Sequence, residues 1–184
     1  MKRAVRILLV CACGPLAGCA AVETLQKIQS EATFQSGGPA AEPPLSVLAL
    51  AVNAGYAPDN GPDAPTAAGV ELVQRFARDL AQKFPADFPD HLRPYGVAVS
   101  APGKGVPLLR VYVSTARKHC YETSNGDCET EARIDGSLIG SSGKRDWWFT
   151  EWITLDSYND STFRAFYKQL AGEMAKAQVV IREE

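Results

Sequence analysis

The stretch Asp146-Trp147-Trp148-Phe149-Thr150-Glu151-Trp152-Ile153-Thr154-Leu155 decides the fold. Read at a period of two, Trp147, Phe149, Glu151, Ile153 and Leu155 fall on one side, and Trp148, Thr150, Trp152 and Thr154 on the other. Successive side chains of a strand point to opposite faces, so this is a strand with one face on a core. The two segments before it alternate in the same way. Leu109, Val111 and Val113 oppose Arg110, Tyr112 and Ser114, while Ala132, Ile134, Gly136 and Leu138 oppose Arg133, Asp135 and Ser137. Ser141-Ser142-Gly143-Lys144 is a turn into the quoted stretch. One-sided alternation belongs to antiparallel sheets, so these three segments are expected to form a meander.

Helical spacing flanks the meander. From Thr66 to Phe84, Val70, Val73, Ala77, Leu80 and Phe84 share a stripe, with Leu72 and Phe76 beside it. Pro85 and Pro89 are expected to stop this helix, because proline lacks the amide donor and crowds the preceding turn. A second helix is expected from about Asp160 to Val179, with Phe163, Phe166, Leu170, Met174 and Ala177 on its apolar stripe. Ser157, Asn159, Asp160 and Ser161 offer oxygens to cap its start. Leu45 to Val52 is short and almost wholly apolar, which suits a strand buried on both faces. Gly55 to Pro65 reads as an irregular loop, and Gly96 to Ala101 as a short strand. The order β-α-β-β-β-β-α predicts an α+β two-layer sandwich, a mostly antiparallel sheet with two long helices on one face.

This single globular domain is expected over residues 45–184. Before it, Ala20 to Gln35 has the spacing of a weak helix, and Ser36 to Pro44 the composition of a flexible-to-extended linker. The chain itself opens with Lys2, Arg3 and Arg6, then the apolar run Ile7 to Cys13, then Gly14-Pro15. That run is far shorter than the roughly 20 residues of a membrane-spanning helix. A basic start, a short apolar middle and small residues at the end describe an export signal over residues 1–18.

The signal ends in Leu16-Ala17-Gly18-Cys19, which matches the lipobox of bacterial lipoproteins at all four positions. The resemblance implies cleavage after Gly18 and lipidation of Cys19, which makes residues 19–44 a lipidated N-terminus and tether. By resemblance to enterobacterial sorting, Ala20 after the cysteine implies the periplasmic face of the outer membrane. The order of the domain's elements resembles that of several small envelope modules. These are the amino-terminal domain of TolB, lipoprotein activators of cell-wall synthases, and small lipoproteins of secretion or transport systems. That likeness is one of element order, so it assigns no functional residue.

Composition narrows the function classes. Three of the 19 basic residues leave with the signal, so the 21 acidic residues outnumber the rest by five. A net acidic chain lacks the electrostatic footprint for nucleic acid or for adsorption to anionic lipid, so membrane contact is expected from the anchor alone. Cys11 and Cys13 leave with the signal and Cys19 takes lipid, so Cys120 and Cys128 remain as a pair. In an oxidising compartment such a pair is expected to bridge, since CxxC spacing and neighbouring metal ligands are missing.

No motif for a cofactor or metal stands out. Gly140-Ser141-Ser142-Gly143-Lys144 lacks the first glycine and the final hydroxyl of a phosphate loop, and reads as a hairpin turn. Asp59-Asn60-Gly61-Pro62-Asp63 lacks EF-hand spacing and reads as a solvated loop. His91 and His119 lie in no nucleophile-base pattern and read as structural or surface residues. Glu151 is the odd charge on its apolar side, expected at a bulge or sheet edge paired with an arginine; the alternative is a buried acid with a raised pKa. Trp148 and Trp152, with Tyr112 and Arg110, fall on the side away from the helices, and these residue types are enriched in binding hot spots. They form the candidate partner face, unless the tether folds over it or the register is shifted by one.

The expected function is therefore a non-enzymatic accessory or assembly module of an envelope complex, binding another envelope protein or itself. Two alternatives stay open. One is a periplasmic hydrolase using acidic residues such as Glu151. The other is a small lipid or ligand carrier, which needs a cavity between sheet and helices.

Overall fold

The computed structural model describes residues 34–38, 44–58, 61–120 and 128–181. The signal, Cys19 and most of the expected tether lie outside the described residues. Within them the chain forms β1 (Gln35–Gly37), β2 (Val47–Asn53), α1 (Ala67–Leu92), a single 3-10 turn (Arg93–Tyr95), β3 (Ala98–Ser100), β4 (Leu108–Cys120), β5 (Cys128–Ile139), β6 (Arg145–Thr154) and α2 (Asp160–Lys176). The six strands make one sheet in the order β1-β6-β5-β4-β2-β3. Both helices pack on one face, as the alternation and the stripes require. Phe76 stacks on Phe163 at 5.4 Å, and Phe166 lies 5.9 Å from Phe149 of the sheet.

The meander β4-β5-β6 is antiparallel throughout, whereas β2 lies parallel to both of its neighbours. Because β2 sits between β3 and β4, the connection from Ala101 to Pro107 has to cross it. Leu48 and Ala49, adjacent and therefore on opposite faces, are both fully buried, in keeping with the apolar run there.

Two expectations change. The linker composition of Ser36 onward hid β1, which pairs antiparallel with β6 through Gln35–Thr150, Ser36–Phe149 and Gly37–Trp148. The compact unit accordingly starts at Phe34, not Leu45. Phe34 anchors it by stacking on Phe149 at 5.5 Å, and Gly37 fits because a Cβ there would meet the Trp148 ring at 3.1 Å.

The second correction is at the prolines. α1 continues through Pro85 and Pro89 to Leu92, capped by the Arg93 amide donating to the Pro89 carbonyl. The stripe explains it: Phe84, Phe88 and Leu92 recur every four residues and are fully buried, with Phe84 and Phe88 stacked at 4.6 Å. Their burial outweighs the missing amide, which costs about 3 kcal/mol in a helix interior. Pro85 itself is exposed. Pro85→Ala is therefore expected to stabilise the domain by about 1–2 kcal/mol, read as a raised denaturation midpoint. An unchanged or lowered midpoint would show that the turn is shaped around the proline.

At α2 the cap falls on Asn159, whose side chain accepts from Ser161 while the Thr162 side chain accepts the Asn159 amide. Lys83 of α1 pairs with Asp160, and Tyr158 donates to Asp79 at 2.9 Å, which ties the two helices at that end.

Candidate functional site: the open face of the sheet

Both helices lie on one side of the sheet, and among the described residues no helix covers its other face. Register lays them out in rows across the strands. Trp148 pairs with Ser137, which pairs with Arg110; Thr150 pairs with Asp135, which pairs with Tyr112; Trp152 pairs with Arg133, which pairs with Thr115. All four candidate residues stand on this face: Trp148 and Trp152 half-buried, Arg110 exposed and Tyr112 38% exposed. Sequence alternation placed them correctly.

Other members of the face could not be placed that way. The ladder between β4 and β5 shifts at Val113/Thr115, so Ser114 is an extra residue. A bulge of this kind reverses parity along the strand. Before it the even residues face outward; after it Thr115, Arg117 and His119 do. Arg117 thereby comes over the Trp152 ring, with its guanidinium carbon 4.1 Å from the ring centroid. Its Nε donates to Glu131 Oε2 at 2.7 Å, and His119 Nδ1 lies 3.2 Å from the same oxygen. Glu131 is only 7% exposed. One strand over, Arg133 Nε donates to Asp135 Oδ1 at 2.9 Å and to Thr150 Oγ1 at 2.8 Å. A second bulge, between Leu138 and Ile139, turns Arg145 outward so that it lies 5.7 Å from the Trp148 ring.

At the end of β4 and the start of β5, Cys120 and Cys128 close the hairpin as a disulfide between directly opposed residues, with Cα atoms 4.1 Å apart. Closing so small a loop constrains the unfolded chain, so the paired change Cys120→Ser and Cys128→Ser is expected to cost about 2–3 kcal/mol in denaturant unfolding. A loss below about 0.5 kcal/mol would mean the hairpin holds its own ends together in the unfolded chain.

Glu151 is not where the sequence led us to expect it. It faces the helices from the middle of β6, 4% exposed, and among the described residues no arginine pairs with it. Its Oε2 has no hydrogen-bond partner, and burial pushes its carboxyl up to about 8 from the usual 4.5. The charged form has been removed from water with nothing to replace it, so the acid is kept protonated. The sheet arginines Arg110, Arg117, Arg133 and Arg145 stand on the opposite face. His91 packs edge-on against Tyr167 at 5.9 Å. The Gly140–Lys144 segment is a hairpin turn, with Gly143 at φ +79 and its amide donating to the Gly140 carbonyl.

A depression of about 410 Å³ lined by Ala51, Val52, Asn53, Arg110, Val111 and Tyr112 opens at the β2-β4 edge. Between the layers, Trp147, Phe149, Phe76, Phe84, Phe163 and Phe166 are fully buried and fill the space a carried ligand would need. No helix among the described residues is long and apolar enough to cross a membrane.

No protein-family model matches the chain, and no curated protein matches it. Among solved structures it is similar to the PelC dodecamer from Paraburkholderia phytofirmans, at 15% identity and a TM-score of 0.44, over 82% of this chain and 99% of that one. It is also similar to the rare lipoprotein B of Shewanella oneidensis, at 11% identity and 0.35, over 71% and 92% of the two chains. A minor lipoprotein of Acinetobacter baumannii matches at 12% identity and 0.31, over 75% and 98%. At these identities and scores the likenesses carry nothing about residues or activity.

Proposed function

We propose that this chain is a lipid-anchored accessory lipoprotein of the periplasmic face of the outer membrane, which catalyses no reaction and captures another envelope protein through its open sheet face. The observation that carries the reading is the one-sided cover of the sheet. The helices bury one face, and among the described residues the other carries half-buried Trp148 and Trp152 and exposed Tyr112 and Arg110 in adjoining rows. Trp, Tyr and Arg supply large contact area at low entropic cost, which is why they dominate binding hot spots. The lipobox Leu16-Ala17-Gly18-Cys19 supports the anchor, and lipid attachment holds the binding face at high effective concentration near membrane partners.

A hydrolase would need a second carboxylate sharing a cleft with Glu151. Along its strand Glu151 instead stands between Phe149 and Ile153, both buried in the core.

The test uses two variants of the full chain expressed in a bacterial host. Cys19→Ser is expected to release the protein into the soluble periplasmic fraction and to abolish palmitate labelling. Trp148→Ala is expected to remain folded, with an unchanged far-ultraviolet circular dichroism spectrum and a cooperative unfolding transition, yet to lose partner capture. Misfolding of every open-face variant would instead make the face part of the core and overturn the reading.

A further inference from the structure

By sequence the two tryptophans of the open face are equivalent, but their surroundings are not. Arg117 covers the Trp152 ring at 4.1 Å and is itself held by Glu131, which is 7% exposed and also engages His119. Arg133, next to Trp152 across the ladder, is taken by Asp135 and Thr150. Each arginine at this end therefore has its own carboxylate, and one face of the indole is already occupied.

The Trp148 end is built differently. There the indole lies along the bare backbone of Gly37, and Arg145 lies over its ring more loosely, 5.7 Å from the centroid against 4.1 Å for Arg117 over Trp152. Arg110, Lys144 and Arg145 are all exposed, and among the described residues no carboxylate pairs with them. The acid at this end, Asp146, has its carboxylate against Gly140, where a Cβ would meet it at 1.8 Å. Among the described residues, Arg110 and Arg145, neither paired with a carboxylate, thus share this end with a half-buried tryptophan and the 38% exposed Tyr112, on a chain whose net charge is −2.

We propose that the docking surface is this Trp148 end alone, that its occupant is an acidic extended protein segment, and that the Trp152 end is closed by the chain's own groups. The proposal deepens the sheet-face reading above and rests on it. Carboxylates of the segment would pair with Arg110 and Arg145, where charge-assisted contacts are strong and bidentate. Its apolar stems would lie on Trp148 and Tyr112. The row from Arg110 through Ser137 to Trp148 spans two strand spacings, about 10 Å, which matches three residues of an extended peptide.

The experiment uses the full-length lipidated protein in detergent micelles, with a fluorescent poly-glutamate peptide as the probe and poly-lysine as its control. Poly-glutamate is expected to bind and poly-lysine not, and the affinity is expected to fall at least about tenfold between about 50 and 500 mM salt. Trp148→Ala is expected to weaken binding at least about tenfold, and Trp152→Ala by less than about twofold. Arg110→Glu alters a side chain with no charged partner to lose, so it keeps the test valid if Trp148→Ala does not fold; it too is expected to cost about tenfold. Equal losses from Trp152→Ala, or no binding of poly-glutamate, overturn the proposal. So does preferential binding to phosphatidylglycerol vesicles or to a polyuronate. The sheet-face reading survives any of these results if a photoreactive group at position 148 still captures a protein in cells, and falls with the proposal if it does not.

Discussion

Glu151→Gln is expected to flatten the pH dependence of stability and to stabilise the domain at pH 8 by about 4 kcal/mol. The wild-type carboxyl titrates near 4.5 when unfolded and at about 8 when folded, because it is buried without a compensating charge. Between those values the native state binds a proton that the unfolded state has lost, so stability falls as pH rises. This stabilising contribution is complete below about pH 4.5, declines by at most about 1.4 kcal/mol per pH unit, and is gone above about pH 8. Glutamine keeps the shape of the protonated acid and cannot ionise. Thermal unfolding of both proteins from pH 5 to pH 9 therefore shows diverging curves, with the wild type falling and the variant level. Parallel curves would mean that Glu151 reaches solvent or a cation in solution.

The second large effect is expected at Gly136, which stands opposite Phe149 on the helix side of the sheet. A Cβ there would lie 2.0 Å from Phe149 Cε1 and 2.5 Å from Cζ. The ring cannot yield, since it is 1% exposed and held by Phe34 at 5.5 Å, Trp147 at 5.7 Å and Phe166 at 5.9 Å. Gly136→Ala is expected to cost about 3 kcal/mol or more, the upper end of overpacking penalties, because both β1 and α2 lean on that ring. Gly172→Ala is the control: nothing lies within 4 Å of its Cβ, and helix propensity alone is expected to raise stability by about 1 kcal/mol. Equal effects from the two substitutions in urea unfolding would show that Phe149 repacks freely.

The same residues show how far the sequence could be read. The period-two pattern of β6 assigned every side chain from Trp147 to Leu155 to its correct face, because a strand buried on one side has no other register that keeps Trp147 and Phe149 dry. The helix stripes were equally legible. β1 was not, because Ser36-Gly37-Gly38 has a linker's composition and its pairing depends on the Trp148 indole of another strand. The prolines misled because local helix termination and long-range burial of Phe88 and Leu92 oppose each other, and burial wins. At the site, alternation delivered Arg110, Tyr112, Trp148 and Trp152 but not Arg117, since the extra residue at Ser114 reverses the parity behind it. Glu151 was flagged as anomalous by its position in the pattern. That it is buried without a partner follows from all the open-face arginines being on the other side of the sheet, a matter of tertiary placement.

The most direct test of the binding face is in-cell photo-crosslinking with a photoreactive residue placed in turn at Trp148, Tyr112 and Lys168, the last an exposed position on α2. The account predicts a discrete protein adduct from positions 148 and 112 and none from position 168. Adducts from position 168 alone, or none from the open face in a folded and lipidated protein, would contradict it.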